Sequence, residues 1–314
     1  MTLLYDIDNG EVFDLFLLLK AADQRTASNG NPFIAMQFQD KSGTMDGMYW
    51  SATPEEVATY QAGRVVRVKG QRDTYRGKPQ VRIRQIRLAT DEEPNDPTLY
   101  VEQLDVSRSE LQDELTQALS LIQEPHILRV VQHILNQTGE EFYTYPAAKR
   151  FHHAIAGGLS YHTLTMVKIA TQLLDIYPTL NASLLIGGII LHDIGKTIEL
   201  TDAVSTEYTL KGQLVGHIVI MVELIEEACR KLGIDSDSEP ILLLKHVVLA
   251  HHGKLEYGSP VTPRLLEAEI IHQIDMMDAT INMMTTELDK TTEGEFSAPI
   301  FALERRAFYK PKFK

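Results

Sequence analysis

Residues 184–196 read LLIGGIILHDIGK, an unbroken apolar run that leads into the adjacent pair His192 and Asp193. A helix that is apolar on every side is buried in a protein core. An aspartate at the end of such a helix is costly to bury unless it is paired or binds a metal. Taken alone, the pair fits a capped helix end equally well, with Asp193 bonded to local backbone and His192 a core histidine. The rest of the sequence has to decide between these two interpretations.

Further histidines and acids lie on or at the ends of other predicted helices. Apolar spacing predicts helices at about 160–177, 182–194, 213–232, 240–252 and 264–289. The side chains that they carry are His162, His217, His251, His252, and Asp275 or Asp278. Helices of a bundle can bring such groups to one point in a core, and imidazole with carboxylate suits Mn, Fe, Co or Zn. The pattern therefore favours a buried metal site over a capped helix end.

The region from 106 to 300 is predicted to be an all-α domain. Ser107 and Glu110 have the spacing of a capping box, which indicates a helix start. Of the 11 histidines, four match no motif and are interpreted as core or surface side chains: His126, His133, His246 and His272. His152 and His153 have two open interpretations, contact with substrate or a structural role.

The first ninety residues are predicted to form a small OB-type barrel. Strand-like runs at 33–39, 45–50, 64–69 and 81–86 are separated by turn residues such as Gly43 and Gly77. The next stretch, 91–105, begins acidic and contains Pro94 and Pro97, a composition typical of a linker. The predicted fold is thus multidomain β plus α: an OB-fold β-barrel at 1–90, a linker at 91–105 and a helical bundle at 106–300.

Basic residues are concentrated in the predicted barrel, although the formal net charge of the chain is −13. Nine of the 30 lysines and arginines lie between Arg64 and Arg87, against one acid, Asp73. A basic face with aromatic residues is typical of modules that bind single-stranded nucleic acid, and a solvated basic surface is the alternative. The residues predicted to bind are Arg67, Lys69, Arg72, Tyr75, Arg76, Lys78, Arg82 and Arg84. Phe33, Phe38, Tyr49 and Trp50 are further candidates for stacking on bases.

The ends of the chain and its cysteine content bear on its location. The N-terminus lacks the basic and apolar segments of a signal peptide, and the longest apolar run, 184–191, is far shorter than the roughly 20 residues that cross a bilayer. The single cysteine, Cys229, excludes an internal disulfide. We therefore expect a cytoplasmic protein without a membrane partner. A second basic stretch, 301–314, is expected to be either a disordered tail or an aid in holding substrate.

The order of the histidines and aspartates resembles that of the HD-domain metal-dependent phosphohydrolases. Two strings carry this resemblance, GGLSYHT at 157–163 and LHDIGK at 191–196. With the OB module in front, the whole chain resembles the YhaM-type 3′→5′ exoribonucleases.

This resemblance implies roles for individual residues. It implies metal ligation by His162, His192, Asp193 and Asp275, with Asp278 one helical turn away as the alternative acid, and ligation of a second metal by His217, His251 and His252. Asp193 would bridge two divalent ions, with Mn expected and Fe, Co or Zn as alternatives. Such a pair activates water for attack on phosphorus. Lys196 would neutralise a phosphate oxygen; a solvated lysine at a helix end is its alternative interpretation.

The implied function is metal-dependent 3′→5′ hydrolysis of single-stranded RNA to nucleoside 5′-monophosphates. Single-stranded DNA is an additional candidate substrate, and a homo-oligomer is an open expectation. Two other classes of function compete with this hypothesis. One is an HD-domain phosphohydrolase that acts on nucleotides or cyclic nucleotides, which would leave the basic barrel without a purpose. The other is a non-catalytic replication factor that binds single strands, which has no need for a buried histidine–aspartate cluster.

Overall fold

A computed structural model describes residues 2–27, 30–101, 104, 106–148, 155–201 and 206–313. The chain divides into two compact units, Met1–Gln103 and Leu104–Lys314. The first unit is a five-stranded barrel and the second is helical, so the predicted fold class is confirmed. His152 and His153 lie outside the described residues. Among the helices of the described segments, none has both the length and the apolar character needed to cross a bilayer.

The first unit is a closed barrel with the strand order β1-β2-β3-β5-β4. The strands are β1 Val12–Thr26, β2 Pro32–Asp40, β3 Gly43–Trp50, β4 Val65–Tyr75 and β5 Lys78–Leu88, and the short helix α1 Pro54–Thr59 joins β3 to β4. Strands β3 and β5 pair in parallel, and the other neighbours pair antiparallel. Gly47 allows the parallel pairing, because a Cβ there would lie 2.8 Å from the Phe38 ring and 3.0 Å from the Val81 carbonyl oxygen.

The stretch predicted as a linker, 91–105, belongs largely to the barrel unit. Glu93 makes two hydrogen bonds of 2.6 Å with Arg87 of β5. Tyr100 is buried and its hydroxyl donates to the Pro94 carbonyl. The division between the units after Gln103 lies near the end of the stretch 91–105 that the sequence assigns to a linker.

The second unit contains ten helices within its described residues. They are α2 Arg108–Ser120, α3 Pro125–Thr138, α4 Glu141–Thr144, α5 Gly158–Ile176, α6 Ala182–Leu191, α7 Lys196–Glu199, α8 Leu210–Val215, α9 His217–Leu232, α10 Glu239–Ala250 and α11 Leu266–Asp289. The capping box at the start of α2 is confirmed, because Ser107 and Glu110 each accept a hydrogen bond from the other's backbone N–H. One prediction is wrong in detail: the helix expected at 213–232 is two helices, because Gly216 has a φ of 78° and interrupts it.

Helix α6 is the centre of the helical core. Every residue from Ser183 to Leu191 is buried, and the helix packs against α3, α5, α10 and α11. Close approach on one side requires Gly188, since a Cβ there would lie 2.8 Å from Ile271 and 3.0 Å from Val247. The all-apolar sequence thus forms the middle of the bundle, and the His192–Asp193 pair emerges from its end inside the protein.

The C-terminal stretch 301–314 is expected from the sequence to be a tail. Its described residues, 301–313, fold back and pair with the residues just before them. Isolated bridges pair Phe296 with Tyr309 and Ile300 with Arg306. Between them lies the 3₁₀ helix Phe301–Leu303. This segment is an irregular hairpin.

Replacing a leucine of α6 by alanine tests its central position. Leu185 is 0% exposed, so Leu185→Ala should lower the free energy of unfolding of the helical unit by about 2–5 kcal/mol. Leu214 of α8 is 77% exposed, so Leu214→Ala should change it by less than about 0.5 kcal/mol. Denaturant titrations followed by far-ultraviolet circular dichroism measure both variants. Equal losses would contradict a core centred on α6.

Candidate metal centre

Side chains from five helices or helix ends converge on one buried point of the helical unit. They are His162 in α5, His192 and Asp193 after α6, His217 at the start of α9, His251 and His252 after α10, and Asp275 in α11. Five pairs of neighbouring imidazole rings have centroids 4.3–5.7 Å apart. The structure therefore brings together all seven residues for which the sequence predicts metal ligation.

Asp193 belongs to one of two groups of potential metal ligands and also faces the other group. One group is His162, His192 and Asp193, the other is His217, His251 and His252, and within each group the ligand atoms lie within 4.8 Å of one another. Oδ2 of Asp193 is 3.3 Å from Nε2 of His192, while Oδ1 is 3.4 Å from Nε2 of His217. A carboxylate whose two oxygens face different groups has the position of a bridging ligand.

The five histidines share one orientation. Nδ1 of each ring is directed at an oxygen that can only accept, so Nδ1 carries a proton and Nε2 is the atom that faces the cluster. The acceptors are Asp278 Oδ2 for His162 (2.6 Å), the Ile189 carbonyl for His192 (2.7 Å), Glu199 Oε1 for His217 (3.1 Å), the Val248 carbonyl for His251 (2.7 Å) and the Tyr257 carbonyl for His252 (2.8 Å). Partners of this kind fix the tautomer and rotation of metal-binding imidazoles.

Several inward-facing atoms lack hydrogen bonds, which tests whether the site fits a cation. Nε2 of His192, His217 and His251, together with Oδ1 of Asp193, are buried and make no hydrogen bond to the described part of the chain. Leaving such atoms unsatisfied costs about 1–3 kcal/mol each, so native proteins rarely do it without a reason. Divalent metal ions would satisfy all four atoms, and the donor set of imidazole nitrogen and carboxylate oxygen suits such ions.

The electrostatics of the site also favour positive charge. Burial disfavours a charge on His162, but hydrogen bonds to Asp275 and Asp278 outweigh it and raise the pKa of the ring to about 9. Burial likewise opposes ionisation of Asp193, yet Lys196 and His192 hold the pKa of this carboxyl well below its usual range. The pKa of His251 is lowered by burial and by His252, which keeps that ring neutral. A bound cation would take the place of the second proton on His162.

The two aspartates of α11 have different positions around His162. Oδ1 of Asp275 lies 3.2 Å from Nε2, on the side of the ring that faces the cluster. Oδ2 of Asp278 lies 2.6 Å from Nδ1, on the opposite side. This geometry gives Asp275 the position of a ligand and Asp278 the position of an orienting partner.

Lys196 lies against the cluster at the start of α7. Its Nζ donates to Asp193 Oδ2 at 2.6 Å, and only 11% of its side chain is exposed. Gly195 permits this arrangement, because a Cβ there would lie 2.3 Å from the carbonyl oxygen of His217. Helix α7 can therefore begin directly against the start of α9.

The cluster opens into a cleft of about 660 Å³ that Lys196, His217, His252 and Asp275 help to line. Three residues at the site have roles that the sequence did not predict: Glu199, which no motif indicated, Asp278, which was the alternative metal ligand, and His272. Glu199 accepts hydrogen bonds from the backbone N–H and Nδ1 of His217, and Asp278 orients His162. His272, expected from the sequence to be a core or surface residue, lines the cleft and lies 3.2 Å from the His251 carbonyl through its Nδ1.

In the barrel unit, part of the predicted basic face lines a cleft of about 490 Å³. Its walls include Tyr49, Arg67, Lys69, Arg84 and Arg87. Two acids from outside the basic stretch reduce its charge: Asp14 of β1 pairs with Arg67 at 2.8 Å and with Lys69 at 3.6 Å, and Glu93 pairs with Arg87 at 2.6 Å. The count of nine cations against one acid therefore overstates the local positive charge.

Most of the other residues predicted to bind nucleic acid are exposed, and Arg72 is the exception among them. Tyr75, Arg76 and Lys78 form the exposed turn between β4 and β5, and the Arg76 guanidinium lies 5.3 Å from the centroid of the Tyr75 ring. Arg82 and Arg84 are exposed on β5. Arg72 differs from all of these, because its guanidinium donates to the carbonyls of Tyr5 and Ile7. Arg72 thus ties the N-terminal segment to β4, and its contact with nucleic acid stays a prediction.

Comparison with known proteins extends over both units. The family model described as HD domain matches residues 159–280. Two relatives named 3'-5' exoribonuclease YhaM, from Listeria monocytogenes serovar 1/2a and Listeria welshimeri serovar 6b, are each 44% identical to the chain over 311 residues, which is 99% of this chain and 99% of each relative. A relative of the same name from Listeria innocua serovar 6a is 43% identical over the same length.

Substituting the two aspartates of α11 separately tests their assignment. Asp278→Asn should weaken metal affinity by about 10–100-fold at unchanged stoichiometry, the effect typical of an orienting partner. Asp275→Asn should weaken it further and lower the number of ions bound. Metal titration after chelation, with elemental analysis, measures both quantities. Loss of an ion in Asp278→Asn alone would reverse the assignment.

Proposed function

Because the chain belongs to the YhaM family of 3′-5′ exoribonucleases, we propose that it hydrolyses single-stranded RNA from the 3′ end to nucleoside 5′-monophosphates. The observation that carries the chemistry is the buried Asp193 carboxylate between histidines. Its Oδ1 and Nε2 of His192, His217 and His251 make no hydrogen bond to the described part of the chain. Single-stranded DNA is proposed as a second substrate. The proposed location is the cytoplasm, which accords with the free, buried thiol of Cys229.

The ligand groups divide between two proposed metal ions. His162, His192 and Asp275 would hold one ion, His217, His251 and His252 would hold the other, and Asp193 would serve both. We propose Mn²⁺, which accepts both imidazole nitrogen and carboxylate oxygen. When bound, such a pair polarises a phosphoryl oxygen and lowers the pKa of a water molecule.

The chain itself supplies positioning and charge. Glu199 and Asp278 hold the rings of His217 and His162 in rotation, so that Nε2 faces the cluster. Lys196 is charged, because its attraction to Asp193 outweighs its burial and raises its pKa. Its ammonium lines the cleft, where it can donate to a phosphate oxygen as a charge-assisted hydrogen bond. Lys196 is therefore the proposed protein contact to the scissile phosphate.

The barrel is the proposed holding site for the strand. Lysines and arginines of its cleft and of the β4–β5 turn can follow the phosphates, and exposed aromatic rings can stack on bases. Trp50 is 59% exposed and lies 4.7 Å from the Phe33 ring, and Tyr75 is exposed beside Arg76. Phe38 is fully buried and belongs to the barrel core.

An assay with 5′-labelled single-stranded RNA and Mn²⁺ tests the proposed reaction. Wild-type protein should produce a ladder of shortening products and release nucleoside 5′-monophosphates. Asp193→Ala should lower the rate by more than about 100-fold, since loss of a ligand exceeds the 10–100-fold effect of an outer partner. Asp175→Ala, at an exposed position near the end of α5, is the matched control and should retain the wild-type rate. Equal rates for Asp193→Ala and the wild type, or the absence of a ladder, would refute the proposal.

Salt dependence of RNA binding tests the barrel surface. Removing Lys69 and Arg84 together should weaken binding and reduce the slope of log affinity against log salt by roughly 0.7 for each phosphate that the variant no longer neutralises. Arg25→Ala removes an exposed arginine of β1 that pairs with Asp23 and should leave the slope unchanged. Fluorescence anisotropy with labelled oligonucleotides, in a chelator so that no hydrolysis occurs, gives the slopes. An unchanged slope in the double variant would remove these residues from the binding surface.

A further inference from the structure

A tyrosine ring lies in the wall of the cleft that contains the proposed metal ligands. Tyr257 ends the 3₁₀ helix Leu255–Tyr257, which follows the ligand His252 closely in sequence. Tyr257 is 51% exposed, yet it lines the same cleft as His252 and Asp275. The proposed reaction assigns roles to the histidines, the aspartates and Lys196, but none to this ring.

Hydrogen bonds fix the backbone of this tyrosine relative to the cluster. The Tyr257 carbonyl accepts the bond from Nδ1 of His252 at 2.8 Å. Its own N–H donates to the Lys254 carbonyl at 3.0 Å, and the N–H of Gly258 donates to the Leu255 carbonyl at 3.0 Å. Gly258 then leaves the segment with a φ of 93°. The backbone that carries the ring is therefore hydrogen-bonded directly to His252, a proposed metal ligand.

The chemistry around the ring suits a nucleotide. An aromatic side chain stacks on any nucleobase, because every base has a π face, and such stacking is tolerant of sequence. A cation lies over one face of the ring, since Nζ of Lys254 is 5.1 Å from the ring centroid. The same Nζ is 3.8 Å from Oε1 of Glu256. An aromatic ring with an adjacent lysine is the combination that contacts base and phosphate in single-strand binding sites.

We propose that Tyr257 forms a nucleobase subsite, in which its ring stacks on the base of the nucleotide whose phosphate lies at the metal cluster. This inference rests on the proposed function. For an enzyme that acts at the 3′ end, that base belongs to the terminal nucleotide. Because the carbonyl of the same residue orients His252, one residue links recognition of the base to the position of a ligand.

A second tyrosine of the cleft provides a matched comparison. Tyr208 is 44% exposed and lines the same cleft. Its backbone pairs with Leu200 rather than with a proposed ligand. If any exposed tyrosine of the cleft could stack on the base, substitution of either residue would have the same effect. If the subsite depends on the segment bonded to His252, only substitution of Tyr257 has an effect.

Competition by two small phosphates measures the contribution of the base. AMP and ribose 5-phosphate carry the same 5′-phosphate, and only AMP carries a base. In wild-type protein with Mn²⁺, AMP should inhibit RNA degradation at about tenfold lower concentration than ribose 5-phosphate. Tyr257→Leu, which keeps a bulky apolar side chain and the backbone carbonyl, should bring this ratio close to one. Tyr257→Phe keeps the ring and should retain the ratio, as should Tyr208→Leu.

Equilibrium dialysis of both compounds against the Mn²⁺-loaded proteins gives the same ratio without turnover, so it applies even to an inactive variant. A wild-type ratio near one, a ratio that survives in Tyr257→Leu, or a ratio lost in Tyr208→Leu instead would overturn the subsite. Failure of the wild-type protein to shorten RNA would refute the proposed function, and the dialysis would still report on the subsite separately.

Discussion

The structure depends on one costly group, the carboxylate of Asp193 at the end of a helix that is buried on all sides. An ionised carboxylate in such surroundings needs compensating positive charge or hydrogen bonds. Lys196 donates to Oδ2 of this carboxylate at 2.6 Å, while Oδ1 faces histidines and makes no hydrogen bond to the described residues. Helices α5, α9, α10 and α11 therefore join α6 in surrounding this carboxylate with side chains that can hold a metal ion.

Helix ends provide much of the precision of the cluster. His192 and His251 each follow the last turn of a helix, and each donates through Nδ1 to the carbonyl three residues earlier, at Ile189 and Val248. Carbonyls in the last turn of a helix have no partner within the helix and are available as acceptors. The same local geometry thus gives a carbonyl of the last helical turn a side-chain donor and fixes the rotation of the imidazole. For His217 at the start of α9 and His162 within α5, the carboxylates of Glu199 and Asp278 take the place of such a carbonyl and orient these two rings.

The sequence predicts the fold class and the residues of the cluster, because apolar spacing and the order of histidines and aspartates are local patterns. It does not distinguish Asp275 from Asp278, since residues three apart lie on the same face of a helix and only the position of His162 separates them. Neutralisation by Asp14 and Glu93 is equally hidden, because these acids reach the basic strands through barrel pairing and chain reversal. The structural role of Arg72 is hidden for the same reason: its partners, the carbonyls of Tyr5 and Ile7, are distant in sequence.

The two units differ in the source of the positive charge that would attract RNA. Among the described residues, the catalytic cleft is lined by the carboxylates of Asp275 and Glu199 and by Lys196, which pairs with Asp193. In the proposed metal-dependent reaction, bound divalent ions would be the largest local charges in this site and would attract a phosphate. The basic face of the barrel carries its positive charge permanently on lysine and arginine, so the RNA binding proposed for it would depend on salt rather than on metal. On this proposal the barrel would retain a strand without metal, whereas engagement of a phosphate in the cleft would require the bound ions.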